Sequence, residues 1–220
     1  MHAPYLDIKL LDHWAFNYIL KKSDKVIVLS DLWVKCLNDL IQRDYLIIPN
    51  PSKNLNYDNV YKESFILYAG KLEDRKGYLD LLYSLVDFDL KGFKVFLAGN
   101  GEIDKASDFI KLNNLNSVYL LGWLNEKEMD YYFKHAQIFV LPSYGEGFPV
   151  SIIDAISNKC AVITTPVGGI PDFLINDYNA IFVNPGDISA LKTSINSLIT
   201  DEKKRKFLAN NGFETSKNHF

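Results

Sequence analysis

The chain has 220 residues, of which 48% are hydrophobic and 23% charged, with a formal net charge of −3. This length is enough for one domain, or for one domain and part of a neighbour, and the interspersed charges argue against the basic stripe of a nucleic-acid-binding protein. Two distant cysteines, no signal peptide and no membrane-spanning apolar run predict a cytoplasmic protein, without a disulfide framework or zinc site, that contacts the inner face of the membrane at most peripherally.

Eight short apolar runs alternate with amphipathic stretches along the chain. The predicted strands are 25–29, 45–48, 65–69, 93–98, 118–121, 138–141, 161–164 and 180–183. Several are apolar at consecutive positions, which is typical of strands buried on both faces of a parallel sheet. The predicted helices between them include 78–86, 103–112, 126–135 and 149–157. This alternation predicts an α/β fold with a Rossmann-like, doubly wound parallel sheet.

A polar, turn-rich connector divides the chain near residue 50. It consists of Pro49-Asn50-Pro51-Ser52, followed by Lys53, Asn54 and Asn56, and such a cluster marks a loop. Residues 1–50 are too few to build an independent core. We therefore expect residues 1–50 to be the last strand–helix unit and linker of an N-terminal domain whose beginning is missing.

The loop at 70–77 is the first candidate site, because ligands of open parallel sheets bind at the carboxyl ends of the strands. It carries three cations beside a helix that is predicted to begin near Gly77, namely Lys71, Arg75 and Lys76. Cations at a helix N-terminus suit a pyrophosphate. Two acidic residues, Glu73 and Asp74, nearly neutralise the loop, so a solvated charged loop is the alternative. In either case we expect loss of one lysine to leave fold stability little changed.

A second loop, Gly99-Asn100-Gly101, also follows a predicted strand. It resembles part of a dinucleotide fingerprint, but Asp104 stands where the third glycine belongs, so that interpretation is weak. The two glycines allow a ligand to approach the backbone closely. A tight strand-to-helix turn explains them equally well.

The third loop, at 141–150, gives the strongest indication of a site. Glu146 lies between two glycines directly after a buried strand, where a carboxylate has little packing purpose. Pro149 suits the first helical turn, because its missing N–H is not needed there. The free amides around Gly147, Phe148 and Val150 would then point at an anion.

Asp154 follows Glu146 by eight residues, inside the same predicted helix. It shares a polar stripe with Ser151 and Asn158, spaced three and four residues away. A ligand contact and an ordinary solvent-facing residue are both open interpretations. Further along, the pair Gly168-Gly169, followed by Pro171 at the start of a helix, predicts a second backbone platform at the same edge of the sheet.

In their order and spacing these segments resemble the group 1, or family 4, retaining glycosyltransferases of GT-B fold. The similarity extends from about Ser23 to about residue 200 and includes, in chain order, 23–30, 48–51, 70–72, 76–77, 99–101, 121–123, 142–143, 146–149, 168–171 and 183–187. Each motif alone is common, but the ordered set is specific. The resemblance implies the C-terminal, donor-binding half of such an enzyme.

The resemblance implies a role for each matching position. Lys71 and Lys76 match the cations that bind the donor pyrophosphate. Glu146 matches the acid that contacts the donor sugar, and Asp154 the acid that contacts the ribose. The implied catalytic residues are Glu146, Lys71 and Lys76, and the implied donor-binding set is Gly70, Lys71, Lys76, Gly99, Gly101, Glu146, Gly147, Phe148, Pro149, Val150 and Asp154.

Two positions depart from the family pattern. Lys71 replaces the usual arginine and lacks its bidentate fork. Asp154 replaces the usual glutamate and is shorter by about one methylene. A hydrogen bond of about 2.7 Å to the ribose then requires either a closer helix or a water that bridges the gap.

The family needs no metal or other cofactor. We accordingly interpret the triplet Asp87-Phe88-Asp89, which lies before a predicted strand, as a surface turn and not as a metal site.

The implied reaction is transfer of a sugar, with retained anomeric configuration, from a UDP- or GDP-sugar to a glycan or lipid-linked acceptor in polysaccharide or lipopolysaccharide biosynthesis. Residues 51–200 would form the nucleotide-sugar donor-binding domain and 201–220 a truncated C-terminal helical segment. The acceptor would bind the missing N-terminal domain, so we expect the chain alone to be inactive. The alternative is a non-catalytic nucleotide-sugar-binding module that completes a partner chain.

Overall fold

The structure is a computed structural model that describes residues 10–52 and 60–220, with side chains from Trp14 onward. Three residues of the predicted connector, Lys53, Asn54 and Asn56, lie outside the described residues. Within the described ranges, no helix has both the length and the hydrophobicity needed to cross a bilayer.

The N-terminal part forms a small unit with its own sheet. Its elements are α1 Leu10–Lys22, β1 Ile27–Val28, α2 Asp31–Asn38 and β2 Leu46–Ile47. The two strands pair in parallel, and Leu20, Val28 and Leu37 form a separate buried cluster. The strands predicted at 25–29 and 45–48 are therefore confirmed in shorter form. Separate pairing and a separate cluster distinguish this unit, residues 10–48, from the rest of the chain.

Six parallel strands form the central sheet of the remaining chain. They are β3 Glu63–Ala69, β4 Lys94–Ala98, β5 Val118–Gly122, β6 Ala136–Leu141, β7 Ala161–Thr164 and β8 Ile181–Phe182. Their order across the sheet is β5-β4-β3-β6-β7-β8, with every neighbouring pair parallel. In the middle of the sheet, Ile66 and Leu67 point to opposite faces and both are completely buried. Continuous burial of this kind explains why the strands are apolar at consecutive positions.

Helices cover both faces of this sheet. They are α3 Tyr78–Ser84, α4 Ile103–Leu112, α5 Glu126–His135, α6 Val150–Ser157, α7 Ile188–Thr200 and α8 Glu202–His219. The crossovers from β3 to β5 and those from β5 to β7 run in opposite directions, so right-handed connections place α3 and α4 on one face and α5 and α6 on the other. Contacts of α3 with α4 and α7, and of α6 with α8, agree with this arrangement. The predicted doubly wound fold is confirmed.

Local capping sets where two of the helices begin. Asn125 accepts a hydrogen bond from the amide of Glu128, whose side chain in turn accepts one from the amide of Asn125, and this capping box starts α5 where it was predicted. The prediction for α6 was wrong by one residue. Pro149 is the N-cap, with an extended ψ of 126°, and the helix begins at Val150. A proline fits this position because it has the required φ and needs no N–H donor.

The order of the strands decides where a ligand site lies. β3 and β6 are neighbours in the sheet, although 66 residues of chain separate the end of one from the start of the other, and the winding direction changes between them. The loops that leave their carboxyl ends therefore meet at the switch point, where ligands of open α/β sheets bind. The triplet at 87–89 lies at the opposite edge, before β4, with Asp87 and Asp89 exposed. Its prediction as a surface turn is confirmed.

Candidate functional site

Lys76 and Glu146 meet at the switch point. Lys76 Nζ lies 2.6 Å from Glu146 Oε1 and 2.8 Å from Oε2, and Ser143 Oγ donates to Oε1 at 2.7 Å. The Lys76 and Glu146 side chains are only 17% and 5% exposed. Two residues 70 positions apart thus form a largely buried, hydrogen-bonded ion pair.

Main-chain contacts hold the two loops together beside this pair. Arg75 donates to the carbonyl of Gly145 at 2.9 Å, and the amide of Tyr144 donates to the carbonyl of Arg75 at 2.8 Å. Arg75 belongs to a single 3₁₀ turn, Asp74–Lys76, which ends at Gly77 with a φ of 67°. A Cβ atom on Gly77 would lie 2.1 Å from the carbonyl oxygen of Pro142. Glycine is therefore required both by the left-handed backbone and by the close approach of the loops.

Lys71 lies at the solvent-exposed rim of the same edge. Its side chain is 60% exposed and its Nζ is 3.0 Å from Glu73 Oε2, while Arg75 pairs with the other oxygen of Glu73 at 2.9 Å. The hydrogen bond from Lys71, supported by Arg75, holds the pKa of Glu73 below its usual value. The interpretation as solvated charge thus describes Lys71, but not Lys76.

The Tyr68 side chain, on β3, supports the main chain of the 70–77 loop. Its buried hydroxyl donates to the carbonyl of Lys71 at 3.0 Å. Burial, with a smaller contribution from the Glu146 carboxylate, raises the pKa of Tyr68 far above its usual value. The hydroxyl therefore stays protonated and remains a donor at any physiological pH.

The N-terminus of α6 presents free amides next to Glu146. No side chain caps this helix, and the amides of Gly147, Phe148, Val150 and Ser151 have no acceptor among the described residues. The Phe148 side chain is buried against Phe173 and Phe220, so only its main chain is available to a ligand. Free helix N-terminal amides attract anions.

Close packing between loops explains the glycines after β4. A Cβ on Gly99 would lie 1.9 Å from the carbonyl oxygen of Gly70, and one on Gly101 would lie 2.3 Å from that of Leu72. Both glycines also have positive φ, 146° and 119°. The space that a ligand contact would need at Gly99 and Gly101 is partly filled by the 70–72 loop, and their donor-binding role stays a prediction.

The predicted glycine platform, Gly168 and Gly169, packs against the main chain of Glu146 and Gly147. The amide of Gly169 donates to the carbonyl of Gly147 at 2.6 Å, and a Cβ on Gly168 would lie 1.8 Å from the carbonyl oxygen of Glu146. A 3₁₀ turn, Ile170–Asp172, follows with Pro171 in its first turn. The glycine pair thus packs against the Glu146 loop, and its role as a backbone platform for a ligand stays a prediction.

Asp154 lies apart from the ion pair. It is half-buried on α6 and lines a cavity of about 280 Å³ between α5 and α6, together with Glu126, Lys127, Met129, Asp130, Phe133 and Asn158. Asn158 is 6% exposed and its side chain donates to the carbonyl of Asp154. Two members of the predicted polar stripe, Asp154 and Asn158, therefore face a groove between helices and are not simply a solvated surface.

Three residues of this arrangement were not in the implied donor-binding set. Ser143 holds Glu146, Arg75 joins the two loops, and Glu73 pairs with the cations at the rim. Arg75 and Glu73 were visible in the sequence as charges of the 70–77 loop, and Ser143 only as part of the motif at 142–143.

The fold and its switch-point loops define the class: this is the C-terminal domain of a GT-B glycosyltransferase fold. The crystal structure of Anabaena HepE in complex with UDP-glucose superposes with a TM-score of 0.82, at 19% sequence identity, over 96% of this chain and 64% of that chain.

The chain belongs to the glycosyl transferases group 1, which it matches over residues 56–215. It is 31% identical over 219 residues to an uncharacterized glycosyltransferase of Methanocaldococcus jannaschii, covering 98% of this chain and 61% of that protein. It is 27% identical over 216 residues to the capsular polysaccharide biosynthesis glycosyltransferase CapM of Staphylococcus aureus, covering 96% and 55%. The chain thus spans little more than half the length of these relatives.

Proposed function

We propose that this chain is the donor-binding part of a retaining glycosyltransferase that transfers a sugar from a UDP- or GDP-sugar to a glycan or lipid-linked acceptor in polysaccharide or lipopolysaccharide biosynthesis. The observation that supports this most directly is the Lys76–Glu146 pair beside the open N-terminus of α6. Residues 51–200 form the donor domain in this proposal, and 1–50 belong to the acceptor side. The chain alone then lacks most of the surface that would position an acceptor, and positioning is a large part of such catalysis.

In this proposal Lys76 contacts the diphosphate of the donor and Glu146 contacts its sugar. A lysine ammonium has three N–H donors, and Glu146 occupies two directions around Lys76 Nζ. The remaining donor can reach a phosphate oxygen while Glu146 keeps the cation in place. Because the pair itself is neutral, the attraction for the diphosphate comes from the free amides of α6 and from Lys71 at the rim.

Glu146 is held so that one of its oxygens can accept from a sugar hydroxyl. Oε1 already accepts from both Lys76 and Ser143, whereas Oε2 accepts only from Lys76 among the described residues. When the bond to the sugar breaks, negative charge grows on the leaving phosphate, and the amides of α6 with Lys71 and Lys76 stabilise it. In the retaining reaction proposed here, the leaving phosphate accepts the proton of the acceptor.

The proposal places the nucleoside in the groove between α5 and α6. Asp154 lines this groove half-buried, so its carboxylate can accept from a ribose hydroxyl either directly or through one water. The two helices then form the walls around the base. Binding of UDP-glucose by a protein of the same fold supports a nucleotide-sugar ligand.

Nucleoside diphosphates are expected to stabilise the chain without magnesium. Ligand at one hundred times its dissociation constant adds about 2.7 kcal/mol to the free energy of unfolding. Thermal unfolding with millimolar UDP, GDP or ADP, in EDTA, measures this effect, and inorganic phosphate at the same concentration is the control. If no nucleotide raises the melting temperature, the proposed function is wrong.

Asp154→Ala is expected to weaken the binding of UDP far more than the binding of 2′-deoxy-UDP. The hydrogen bond at stake involves a charged acceptor, so about 1.5–3 kcal/mol should be lost. Calorimetric titration of the two nucleotides measures the difference. Asp154→Glu is the matched variant, and it should tighten UDP if a water now bridges the gap to the ribose. Equal responses of both nucleotides would remove Asp154 from the ribose site.

A further inference from the structure

The N-terminal unit touches the candidate site through Ser30. This residue follows β1 by two positions and is the N-cap of α2, yet its side chain makes no capping hydrogen bond. It is completely buried, and its hydroxyl has no hydrogen-bond partner among the described residues. A Cβ atom on Gly169 would lie 2.6 Å from Ser30 Oγ and 2.8 Å from Ser30 Cβ. Ser30 is therefore packed directly against the backbone of the glycine platform.

The glycine platform, Gly168 and Gly169, also contacts the Glu146 loop on its other side. Gly169 donates its amide proton to Gly147, and Gly168 leaves no room for a side chain against the carbonyl of Glu146. Protein interiors packed this tightly transmit a displacement instead of absorbing it. We therefore expect a movement of Ser30 toward Gly169 to displace Gly147 and Glu146 as well.

One further hydrogen bond joins the N-terminal unit to the platform region, and another joins the connector to the Glu146 loop. The amide of Leu32, in the first turn of α2, donates to Asp172 Oδ2 at 3.1 Å. Asn50 donates from its side chain to the carbonyl of Phe148 at 3.1 Å. Asp172 thus caps the N-terminus of α2 in place of Ser30, whose side chain makes no capping hydrogen bond. Asp172 follows Gly169 by three residues.

We propose that Ser30, Leu32, Gly169 and Asp172 form a clasp by which the N-terminal unit sets the position of Glu146 in the donor site. Ser30 is a positioning residue in this clasp, since it acts on Glu146 only through Gly169 and Gly147. The orientation of the N-terminal unit and the geometry of the donor site are then coupled. The effect on ligand binding rests on the proposed function, but the mechanical coupling does not.

Gly169→Ala tests the coupling directly. Gly169 has a φ of −79°, so alanine introduces no backbone strain and acts only through its methyl group, which meets Ser30 and the carbonyl of Gly147. The reporter is the amide of Tyr144, which donates to the carbonyl of Arg75 in the site loop and makes no hydrogen bond to any of the four clasp residues. We expect its hydrogen exchange, measured by NMR, to become at least tenfold faster while exchange in the core strands is unchanged.

Ser30→Gly provides the rescue. It removes two of the three atoms that the alanine methyl would meet, and glycine is well tolerated at an N-cap. The double variant Ser30→Gly/Gly169→Ala should recover most of the Tyr144 protection, and Ser30→Gly alone should change it little. UDP affinity should follow the same order, falling about tenfold in Gly169→Ala and recovering in the double variant.

Asp172→Ala keeps the proposal testable if Gly169→Ala does not fold. It removes only the cap on α2, and Asp187→Ala, which removes the equivalent cap on the amide of Ala190 in α7, is its matched control. Tyr144 exchange should rise in the first and not in the second. Unchanged Tyr144 exchange in both Gly169→Ala and Asp172→Ala, or no recovery in the double variant, would overturn the clasp. If the wild type binds none of UDP, GDP and ADP, only the proposed function is overturned.

Discussion

Replacing Lys76 by methionine is expected to destabilise the fold by about 3 kcal/mol, the lower end of the range for removing one partner of a buried ion pair. Methionine keeps most of the volume of the lysine stem but leaves the Glu146 carboxylate, 5% exposed, with Ser143 as its remaining partner. An uncompensated buried charge of this kind is costly. Urea unfolding at neutral pH measures the loss.

The same substitution separates the structural role of the pair from its role in binding. Lys76→Met/Glu146→Gln should recover most of the lost stability, because no charge is then left unpaired. It should not recover affinity for UDP, which is expected to fall at least tenfold with the loss of a charge-assisted contact. Lys71→Met is the matched control: its side chain is 60% exposed, so its stability should change by less than about 1 kcal/mol. Equal stability losses at 71 and 76 would contradict the buried pair.

Gly77→Ala is expected to destabilise the fold by about 2–5 kcal/mol. The left-handed φ of 67° adds about 1–2 kcal/mol for a residue with a Cβ, and the Cβ would lie 2.1 Å from the carbonyl oxygen of Pro142. Relieving that overlap requires the two loops to separate, which typically adds about 1–3 kcal/mol. Urea unfolding again measures the effect. Because Lys76 precedes Gly77, UDP affinity should also fall.

Gly92 offers a control for the contribution of the backbone alone. Its φ is 84°, but a Cβ there would meet nothing within 4 Å. Gly92→Ala should therefore lose only the strain of the left-handed backbone, about 1–2 kcal/mol, and should leave UDP binding unchanged. If the two alanine variants lose equal stability, the close approach of the loops at Gly77 and Pro142 is not rigid.

Local sequence was sufficient for the elements of the fold. The strands could be read from apolar runs because burial on both faces of a parallel sheet demands them. Helices α4 and α5 begin and end where predicted, since capping groups and periodicity act within a few residues. Pro149 was misplaced by one residue because proline suits both the N-cap and the first helical position.

The contents of the candidate site were also visible in the sequence, but their partners were not. Glu146 was recognisable as a carboxylate between two glycines, and Lys76 as a cation before a helix. The burial of Lys76 against Glu146 excludes the solvated-loop alternative for this lysine and leads us to expect a stability loss when it is replaced. The sequence could not show this burial, because the two residues meet only when β3 lies beside β6, and strand order depends on contacts between distant residues.

What the sequence alone determined is therefore the family, the doubly wound α/β fold and the loops that carry the site, all of which depend on local patterns of hydrophobicity, turns and glycines. Only the tertiary structure decided which loops meet, that Asp154 faces a groove between helices, and that Ser30 packs on the glycine platform. The loop contact joins residues 70 positions apart, and the hydrogen bond from Leu32 beside Ser30 joins residues 140 positions apart. Burial and contact at such separations depend on how the layers assemble, and no short window of sequence records them.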